Sequence, residues 1–392
     1  MTAFFNTGLS QQQFLEQYWQ KKPLLIRNAF NAPVTDLTPE ILAGIACEED
    51  IESRLIRQLG PASWSLQQGP LDETDFSQLP EIDWTLLVQD MDKHWPALKE
   101  LITPFRFIPD WRRDDIMISY AVPGGSVGAH IDNYDVFLLQ AEGVRRWQIG
   151  DAPIEEAEWL DDCQLRILKT FNAAESWDLA PGDMLYLPPK YAHHGIAQTN
   201  CMTISVGFRA PTQRQLLDSF VDVLAEQAQP DIFYSDADLT STNQPAEINE
   251  AALQRAAKML MAAVEQHPDA LAKALGRLVT ETKSTLEPWL EMEDEPLTSI
   301  EEIDAMYAEG GFLERSDFIR LAYHVGQDEV NVFIAGQYHQ LSKQYADDMA
   351  TLCTYQTLTD NDWQQLKNQA DIAALLLIML EEGAWVARYQ DD

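Results

Sequence analysis

Two short segments of the sequence carry the residue types best suited to hold a metal ion. His130 and Asp132 lie two positions apart in GGSVGAHIDNYDVF, and His193, followed at once by His194, comes 63 residues after His130 in PGDMLYLPPKYAHHG. In a strand, positions i and i+2 point to the same face, so His130 and Asp132 would converge. Two histidines and one carboxylate form a facial triad with open positions, which is typical of non-haem Fe(II) oxygenases.

The ligand types favour a particular kind of metal, but the local sequence does not identify the third ligand. A nitrogen and oxygen ligand set without cysteine fits iron or manganese better than structural zinc. His193 and His194 point to opposite faces of a strand, so only one can be a ligand, and the local pattern does not choose between them. The alternative interpretation is that all four are ordinary polar residues near loops.

A buried cation would strengthen the oxygenase interpretation, because a 2-oxoglutarate cosubstrate needs a partner for its distal carboxylate. Arg145 and Arg146 follow in GVRRWQIG, and strand parity places Arg145 with Trp147 on one face and Arg146 on the other. A buried arginine without an anionic partner is very costly. The alternative is that both arginines sit at a solvated sheet edge.

The elements that must position these residues are mainly short strands. Up to about residue 210, helices are predicted early, where Ser10 with Gln13 forms a capping box and Thr38 precedes Pro39. The runs IMISYAV, DVFLLQ, RRWQIG, LRILKT, DMLYLP and MTISVGF then alternate with turn residues. Short strands without intervening helices predict an antiparallel sandwich or barrel.

After residue 210 the pattern of apolar residues changes twice, which agrees with the two or three domains expected for 392 residues. Residues 211–286 repeat apolar residues at helical spacing, and the Leu and Met stripes suggest a dimer interface, the alternative being packing within the chain. Residues 287–392 open on the acidic linker EPWLEMEDEP and contain a hairpin, VNVFIAGQYHQL, whose turn is Ala335-Gly336, and a last strand, AWVARY. This small α+β module resembles a winged helix.

Charge and composition exclude several functional classes. The 63 Asp and Glu residues outnumber the 27 Lys and Arg residues, giving a net charge of −36. Such a surface repels phosphate and anionic lipid, so we expect no direct DNA, RNA or membrane binding, and basic partners are favoured. The alternative is that the acidity serves only solubility or a saline habitat. The four cysteines form no CxxC motif, and no signal peptide or membrane-length apolar run is visible. We therefore expect a cytoplasmic protein.

With these residues in view, the chain resembles a known family. VPGGSVGAHIDNYDVFLLQAEGVRRWQIG, LAPGDMLYLPPKYAHHGIA and SVGFRAP resemble the Jumonji C (JmjC) 2-oxoglutarate oxygenases, and most of all the bacterial ribosomal oxygenases, which are ribosomal protein arginine hydroxylases. The resemblance implies an α+β multi-domain chain. Its parts are a double-stranded β-helix (jelly-roll, cupin-like) JmjC domain at 1–210, a helical dimerisation domain at 211–286 and a winged-helix domain at 287–392.

The resemblance also implies roles for particular residues. His130, Asp132 and His193 match the iron ligands, Arg145 matches the residue that holds the 2-oxoglutarate C5 carboxylate, and Ser119 matches a polar cosubstrate contact. Thr203 falls at a cosubstrate-contact position where the nearest relatives have asparagine, and His194 replaces a residue that is often acidic.

The activity implied is hydroxylation, dependent on Fe(II), 2-oxoglutarate and dioxygen, of an arginine β carbon in large-subunit ribosomal protein sixteen. Acidic charge would steer this basic substrate, and Asp114, Asp115 and Asp135 are candidates to receive its guanidinium group, the alternative being solvated turn residues. Two other functions stay open: a JmjC hydroxylase of another residue, such as histidine, and a non-catalytic cupin-like metal-binding scaffold. Arg145 separates them, since a scaffold has no use for a buried cation there.

Overall fold

The computed structural model describes residues 4–31, 35–209, 211–290 and 296–389. The chain divides into two compact units, the first formed by residues 1–210 with 284–291 and the second by residues 211–283 with 292–392. The predicted three-domain boundaries at 210/211 and 286/287 stay predictions. Within the described residues, no helix is both long and apolar enough to cross a membrane.

The first unit is built on two antiparallel sheets. The larger has eight strands in the order β1-β9-β6-β11-β5-β4-β2-β3, and the smaller has three in the order β10-β7-β8. This arrangement is the predicted double-stranded β-helix. The strands are β1 (Leu24–Ile26), β2 (Ser53–Gly60), β3 (Ser63–Gln68), β4 (Trp84–Val88), β5 (Arg113–Ala121), β6 (Asp135–Glu142), β7 (Arg145–Pro153), β8 (Glu175–Leu179), β9 (Met184–Leu187), β10 (Tyr191–Ala197) and β11 (Cys201–Phe208).

Short helices accompany these sheets, and two begin where capping residues predicted. Ser10 and Gln13 form a reciprocal capping box, and the Thr38 side chain accepts from the Ile41 N–H with Pro39 at the first helical position. The helices of this unit are α1 (Gln11–Gln17), α2 (Pro39–Ile45), α3 (Glu73–Ser77), α4 (Met91–His94), α5 (Lys99–Ile102) and α9 (Glu287–Leu290).

The two faces of the large sheet have different neighbours, because side chains alternate along each strand. On β6, Phe137 and Leu139 belong to a large core that includes the stacked rings of Phe4 and Phe14, whose centroids are 4.0 Å apart. Leu138 belongs to a second core shared with the small sheet. Gln140 on β6 and Thr203 on β11, described below, lie on the same face as Leu138, inside the β-helix.

The second unit combines helices with two three-stranded sheets, in the orders β16-β12-β17 and β13-β14-β15. The predicted hairpin is β14 and β15, joined at Ala335-Gly336, and the last predicted strand is β17. The elements are α6 (Gln213–Gln227), α7 (Glu250–Gln266), α8 (Ala270–Thr280), α10 (Ile300–Ala308), β12 (Phe312–Arg315), β13 (Leu321–Val325), β14 (Glu329–Ile334), β15 (Gln337–Ser342), α11 (Ala346–Thr354), β16 (Thr357–Leu358), α12 (Asp360–Leu366), α13 (Ala370–Glu381) and β17 (Trp385–Arg388).

One predicted strand is wrong. The run LRILKT, residues 165–170, is irregular apart from an isolated bridge between Trp159 and Leu168. Its apolar residues Ile167 and Leu168 are nevertheless buried, so burial alone accounts for the apolar pattern that predicted a strand. The segment joins β7 to β8 along the chain.

Candidate metal and cosubstrate site

The structure brings His130, Asp132 and His193 together, with their potential ligand atoms within 4.8 Å of one another. The Asp132 carboxylate lies 3.9 Å from His130 Nε2 and 3.5 Å from His193 Nε2. His130 and Asp132 stand just before β6 rather than within a strand, yet they still converge. An isolated antiparallel bridge joins His130 to His193 on β10, with backbone hydrogen bonds of 3.0 and 2.9 Å.

Backbone carbonyls orient both imidazoles. His130 Nδ1 lies 3.0 Å from the Gly128 carbonyl oxygen, and His193 Nδ1 lies 2.9 Å from that of Tyr191. An Nδ1–H donated to a carbonyl leaves the Nε2 lone pair free for a metal, and both Nε2 atoms point towards Asp132. Burial lowers the pKa of His193 to about 4, so this imidazole is neutral near pH 7, as a ligand must be.

His194 takes no part in this cluster. It is half-buried on β10, where its ring meets the edge of Phe171 at a centroid distance of 6.1 Å. Burial lowers its pKa to about 4 as well. Of the two adjacent histidines, the structure therefore groups only His193 with His130 and Asp132.

Arg145 lies inside the β-helix, where only 6% of it is exposed, and it shares a face with Trp147 as strand parity predicted. Its Nη1 donates to Ser119 Oγ at 3.1 Å, across the space between the two sheets. Its Nε and Nη2 are buried and have no hydrogen-bond partner among the residues that the structure describes. The neighbouring Arg146 is on the outer face, where it forms a two-point ion pair with Asp178.

Trp147 connects this cation to the triad. Its ring centroid is 5.9 Å from that of His193 and 5.8 Å from the Arg145 guanidinium carbon. The indole Nε1 is also buried, and no described residue accepts a hydrogen bond from it. Leaving a buried donor unpaired costs about 1–3 kcal/mol, so three such donors beside one cluster indicate an acceptor-rich ligand.

Ser119 and Thr203 are directly opposite each other on β5 and β11 and share the interior face. Both are buried, but their hydroxyls have different partners: Ser119 accepts from Arg145, and Thr203 donates to Gln140 Oε1 at 3.1 Å. Gln140, on β6, is fully buried and is not among the residues predicted for the site. Its position in the apolar run DVFLLQ is the signal that could have found it.

The three acidic residues considered for guanidinium binding do not share one location. Asp115 is buried on β5, and its carboxylate lies beside Gly207 of β11, which shares the interior face with Thr203. Asp135 belongs to the opposite face, where it accepts hydrogen bonds from Tyr186 at 2.7 Å and from Gln20 at 2.9 Å. Asp135 is therefore excluded as a substrate contact, and Asp114 is only half-buried next to Asp115.

A buried ion-pair group that the sequence analysis missed lies beside Asp115. Lys93 is 2.8 Å from Asp92 and 3.3 Å from Asp90, with all three side chains almost fully buried. Asp92 also accepts from the Ile116 N–H, and Asp115 accepts from the Asp90 N–H at 3.4 Å. This group fixes the first residues of β5 and hence the position of Asp115.

Comparison with known proteins agrees with this site. A JmjC-domain model matches residues 100–216 and a ROXA-like winged-helix model matches residues 263–386. The chain is 32% identical over 382 residues to the ribosomal protein uL16 3-hydroxylase of Escherichia coli, covering 97% of this chain and 98% of that protein. It is 35% identical over 320 residues to a probable ribosomal oxygenase of Haemophilus influenzae, covering 80% of this chain and 79% of that one.

Solved structures extend the similarity to the whole chain. The X-ray structure of YcfD from Escherichia coli superposes with a TM-score of 0.84 at 30% identity, covering 97% of this chain and 99% of that one. A structure of the same ribosomal oxygenase with cobalt and 2-oxoglutarate has a TM-score of 0.80 at 31% identity and the same coverage. The predicted fold class is confirmed, and the chain belongs to the JmjC-domain ribosomal oxygenase family.

Proposed function

We propose that this chain is an Fe(II)- and 2-oxoglutarate-dependent dioxygenase that hydroxylates the β carbon of an arginine side chain in the large-subunit ribosomal protein uL16. The relative from Escherichia coli is a uL16 3-hydroxylase, and YcfD has been solved with cobalt and either 2-oxoglutarate or succinic acid. The observation on this chain that carries the proposal is the buried Arg145 with two unpaired nitrogens near a His-Asp-His cluster.

His130, Asp132 and His193 would hold the metal. The donor set fits Fe(II), because two imidazoles and a carboxylate leave open positions for a cosubstrate and dioxygen. When bound, Fe(II) supplies dioxygen activation, coupled to the oxidative decarboxylation of 2-oxoglutarate. Overall, 2-oxoglutarate, dioxygen and a C–H bond give succinate, carbon dioxide and a C–OH group.

Arg145 would pair with the distal carboxylate of 2-oxoglutarate through its unpaired Nε and Nη2. Such a two-point, charge-assisted contact supplies both affinity and orientation. Ser119 holds the third nitrogen of the guanidinium and so fixes its direction. Thr203 would contact the cosubstrate beside Ser119, although its hydroxyl is already bonded to Gln140.

Asp115 would receive the guanidinium of the substrate arginine. It is the one candidate acid that is buried on the interior face, and an arginine side chain pairs well with a carboxylate held in a fixed place. A net charge of −36 would attract a basic ribosomal protein over a longer range. The same charge disfavours DNA and RNA as direct partners.

The helices of residues 211–286 would form a homodimer. Leu217 and Val221 on α6 are more than half exposed, as are Leu253 and Leu260 on α7. No residue of α7 is buried within the chain, although apolar residues recur along it at helical spacing. A second copy would cover these stripes. We also propose that the protein is cytoplasmic, because free ribosomal protein is available there.

The test is mass spectrometry of uL16 after incubation with the protein, Fe(II), 2-oxoglutarate and air. We expect the mass of one oxygen atom on a single arginine, and none with His130→Ala. His194→Ala is the matched control, since it removes the adjacent histidine outside the cluster. Oxygen gained on a histidine instead would make the chain a hydroxylase of another residue. An iron-loaded protein that forms no succinate would favour a non-catalytic scaffold.

A further inference from the structure

The second unit contains a groove of about 820 Å³ between strand β15 and helix α13. One wall is formed by residues 338–342 of β15. The other is formed by Asp371, Ala374, Leu375 and Ile378, whose spacing places them on one face of α13. Clefts that take ligands typically measure about 300–1,000 Å³, so the groove is large enough to receive one.

Strand β15 presents unpaired backbone groups to this groove. Ile334 and Gln337 close a two-residue turn through Ala335 and Gly336, which have φ of 47° and 81°, so they form a hydrogen-bonded pair. Hydrogen-bonded pairs alternate with non-hydrogen-bonded pairs along an antiparallel ladder. The hydrogen bond from the Lys343 N–H to the Asp328 carbonyl oxygen, three pairs further along the same series, agrees with this assignment. The backbone groups of 338, 340 and 342 therefore point away from β14.

Strand β15 is the edge of its sheet, since among the described residues it pairs only with β14. An exposed edge with free N–H and C=O groups is a template for another strand. Some peptide-binding domains use this template by adding an extended peptide to a sheet edge. Here the apolar residues Leu375 and Ile378 form a floor beside the edge.

The rim of the groove is acidic, with Asp328 and Glu329 at one end of β14 and Asp371 on α13. Within the described residues, no salt bridge neutralises these three carboxylates. Glu329 accepts from the amides of Asn331 and Gln340, and Asp371 accepts from the Tyr345 hydroxyl at 3.0 Å, all of them neutral donors. None of the three carboxylates is held in an ion pair with a described residue, and the nearby Lys343 ammonium donates instead to the carbonyl oxygen of Gln327 at 3.0 Å.

We propose that this groove binds an extended, lysine- or arginine-rich segment of a partner protein, which adds to β15 as a further strand. Backbone hydrogen bonds to 338, 340 and 342 would give affinity, and the acidic rim would select basic side chains. A second copy of the chain carries the same net charge of −36, and nucleic acid carries phosphate, so charge disfavours both as occupants. The proposal does not depend on the oxygenase activity of the first unit.

The experiment measures binding of a fluorescent eight-residue peptide of alternating lysine and valine to the full chain by anisotropy. We expect saturable one-to-one binding, and none for the matched glutamate–valine peptide. The double variant Asp328→Asn with Asp371→Asn should bind roughly fivefold more weakly, because exposed ion pairs contribute modestly. The control, Glu265→Gln with Glu309→Gln, removes two exposed charges from elsewhere in the unit and should bind like wild type.

Hydrogen exchange separates strand addition from loose charge attraction. Bound peptide should slow amide exchange at 338, 340 and 342, whereas their neighbours at 339 and 341 are already paired with β14. Gln340→Pro removes one outward N–H and should abolish binding, and a peptide N-methylated at alternate residues gives the same test without altering the protein. Equal binding of the acidic peptide, full binding of the N-methylated peptide, or protection confined to another surface would each overturn the proposal.

Discussion

Replacing Arg145 by glutamine should remove the affinity for 2-oxoglutarate and leave the fold intact. The guanidinium is buried, yet Ser119 occupies only one of its three nitrogens, and within the described part of the chain Nε and Nη2 have no partner. Without cosubstrate, the substitution therefore deletes an uncompensated buried charge. We expect the cosubstrate-free variant to melt at the wild-type temperature or above it.

The size of the effect follows from the geometry of the pair. Removing one partner of a buried charge pair costs about 3–5 kcal/mol, which corresponds to roughly a 150- to 4,000-fold weaker Kd. Arg145→Lys keeps the charge but loses the two-point contact, so it should cost about 1.5–3 kcal/mol, or at least tenfold. Arg146→Gln is the matched control, because it removes a neighbouring cation that faces outward.

Thermal shift and steady-state kinetics both report this change. At a 2-oxoglutarate concentration of about 100 Kd, the wild-type protein should gain about 2.7 kcal/mol of stability, and a variant with a 100-fold weaker Kd about 0.4 kcal/mol. The KM for 2-oxoglutarate should rise for both Arg145 variants and remain unchanged for Arg146→Gln. Wild-type affinity in Arg145→Gln, or loss of its fold without ligand, would show that the buried cation serves structure rather than the cosubstrate.

Four further outcomes are expected. The pKa values of His193 and His194, both about 4, lie below the ordinary value of about 6.5, so the unfolded chain protonates first as the pH falls. The free energy of unfolding of the metal-free protein should therefore decline between about pH 6.5 and pH 4 in denaturant titrations, and less steeply in His194→Asn; equal slopes would contradict this. Asp115→Asn should raise the KM for the ribosomal protein about tenfold, with succinate formation in the absence of substrate unchanged, because it removes a charged hydrogen bond to the substrate. Asp135→Asn should lower the melting temperature instead, and the reverse pattern would exchange their roles. If charge steers the substrate, kcat/KM should fall several-fold between roughly 50 and 300 mM salt. A kcat/KM that does not change with salt would contradict electrostatic steering. Leu260→Glu should convert a dimer into a monomer in sedimentation experiments, whereas a monomeric wild-type protein would reject the dimer outright.

Local rules predicted the features that depend on neighbours along the chain. The Ser10 capping box, the Ala335-Gly336 turn and the opposite faces of Arg145 and Arg146 need only a few residues of context, and the structure has all three. The metal cluster was also accessible, because His130 and Asp132 are two residues apart. Choosing His193 over His194 needed the resemblance to a family, since strand parity allows either.

Features set by contacts between distant segments were not accessible in this way. Gln140 interrupts an apolar strand, and its burial is explained by partners that the fold supplies: the Thr203 hydroxyl and the carbonyl oxygens of Met202 and Glu142. Lys93 looks like an ordinary charged residue until the fold surrounds it with carboxylates. The run at 165–170 shows the opposite error, because burial of Ile167 produced an apolar pattern without any ladder.

The backbone bridge between His130 and His193 determines whether the protein needs iron in order to fold. Main-chain hydrogen bonds set the spacing of these two histidines, so the chain can complete its folding before any metal arrives. Small zinc domains are unfolded without their ion, whereas this protein can remain folded as a stable apoprotein. The fraction of the protein that carries iron would then follow the supply of exchangeable iron in the cell. Iron starvation would abolish the activity of protein already made without causing its degradation.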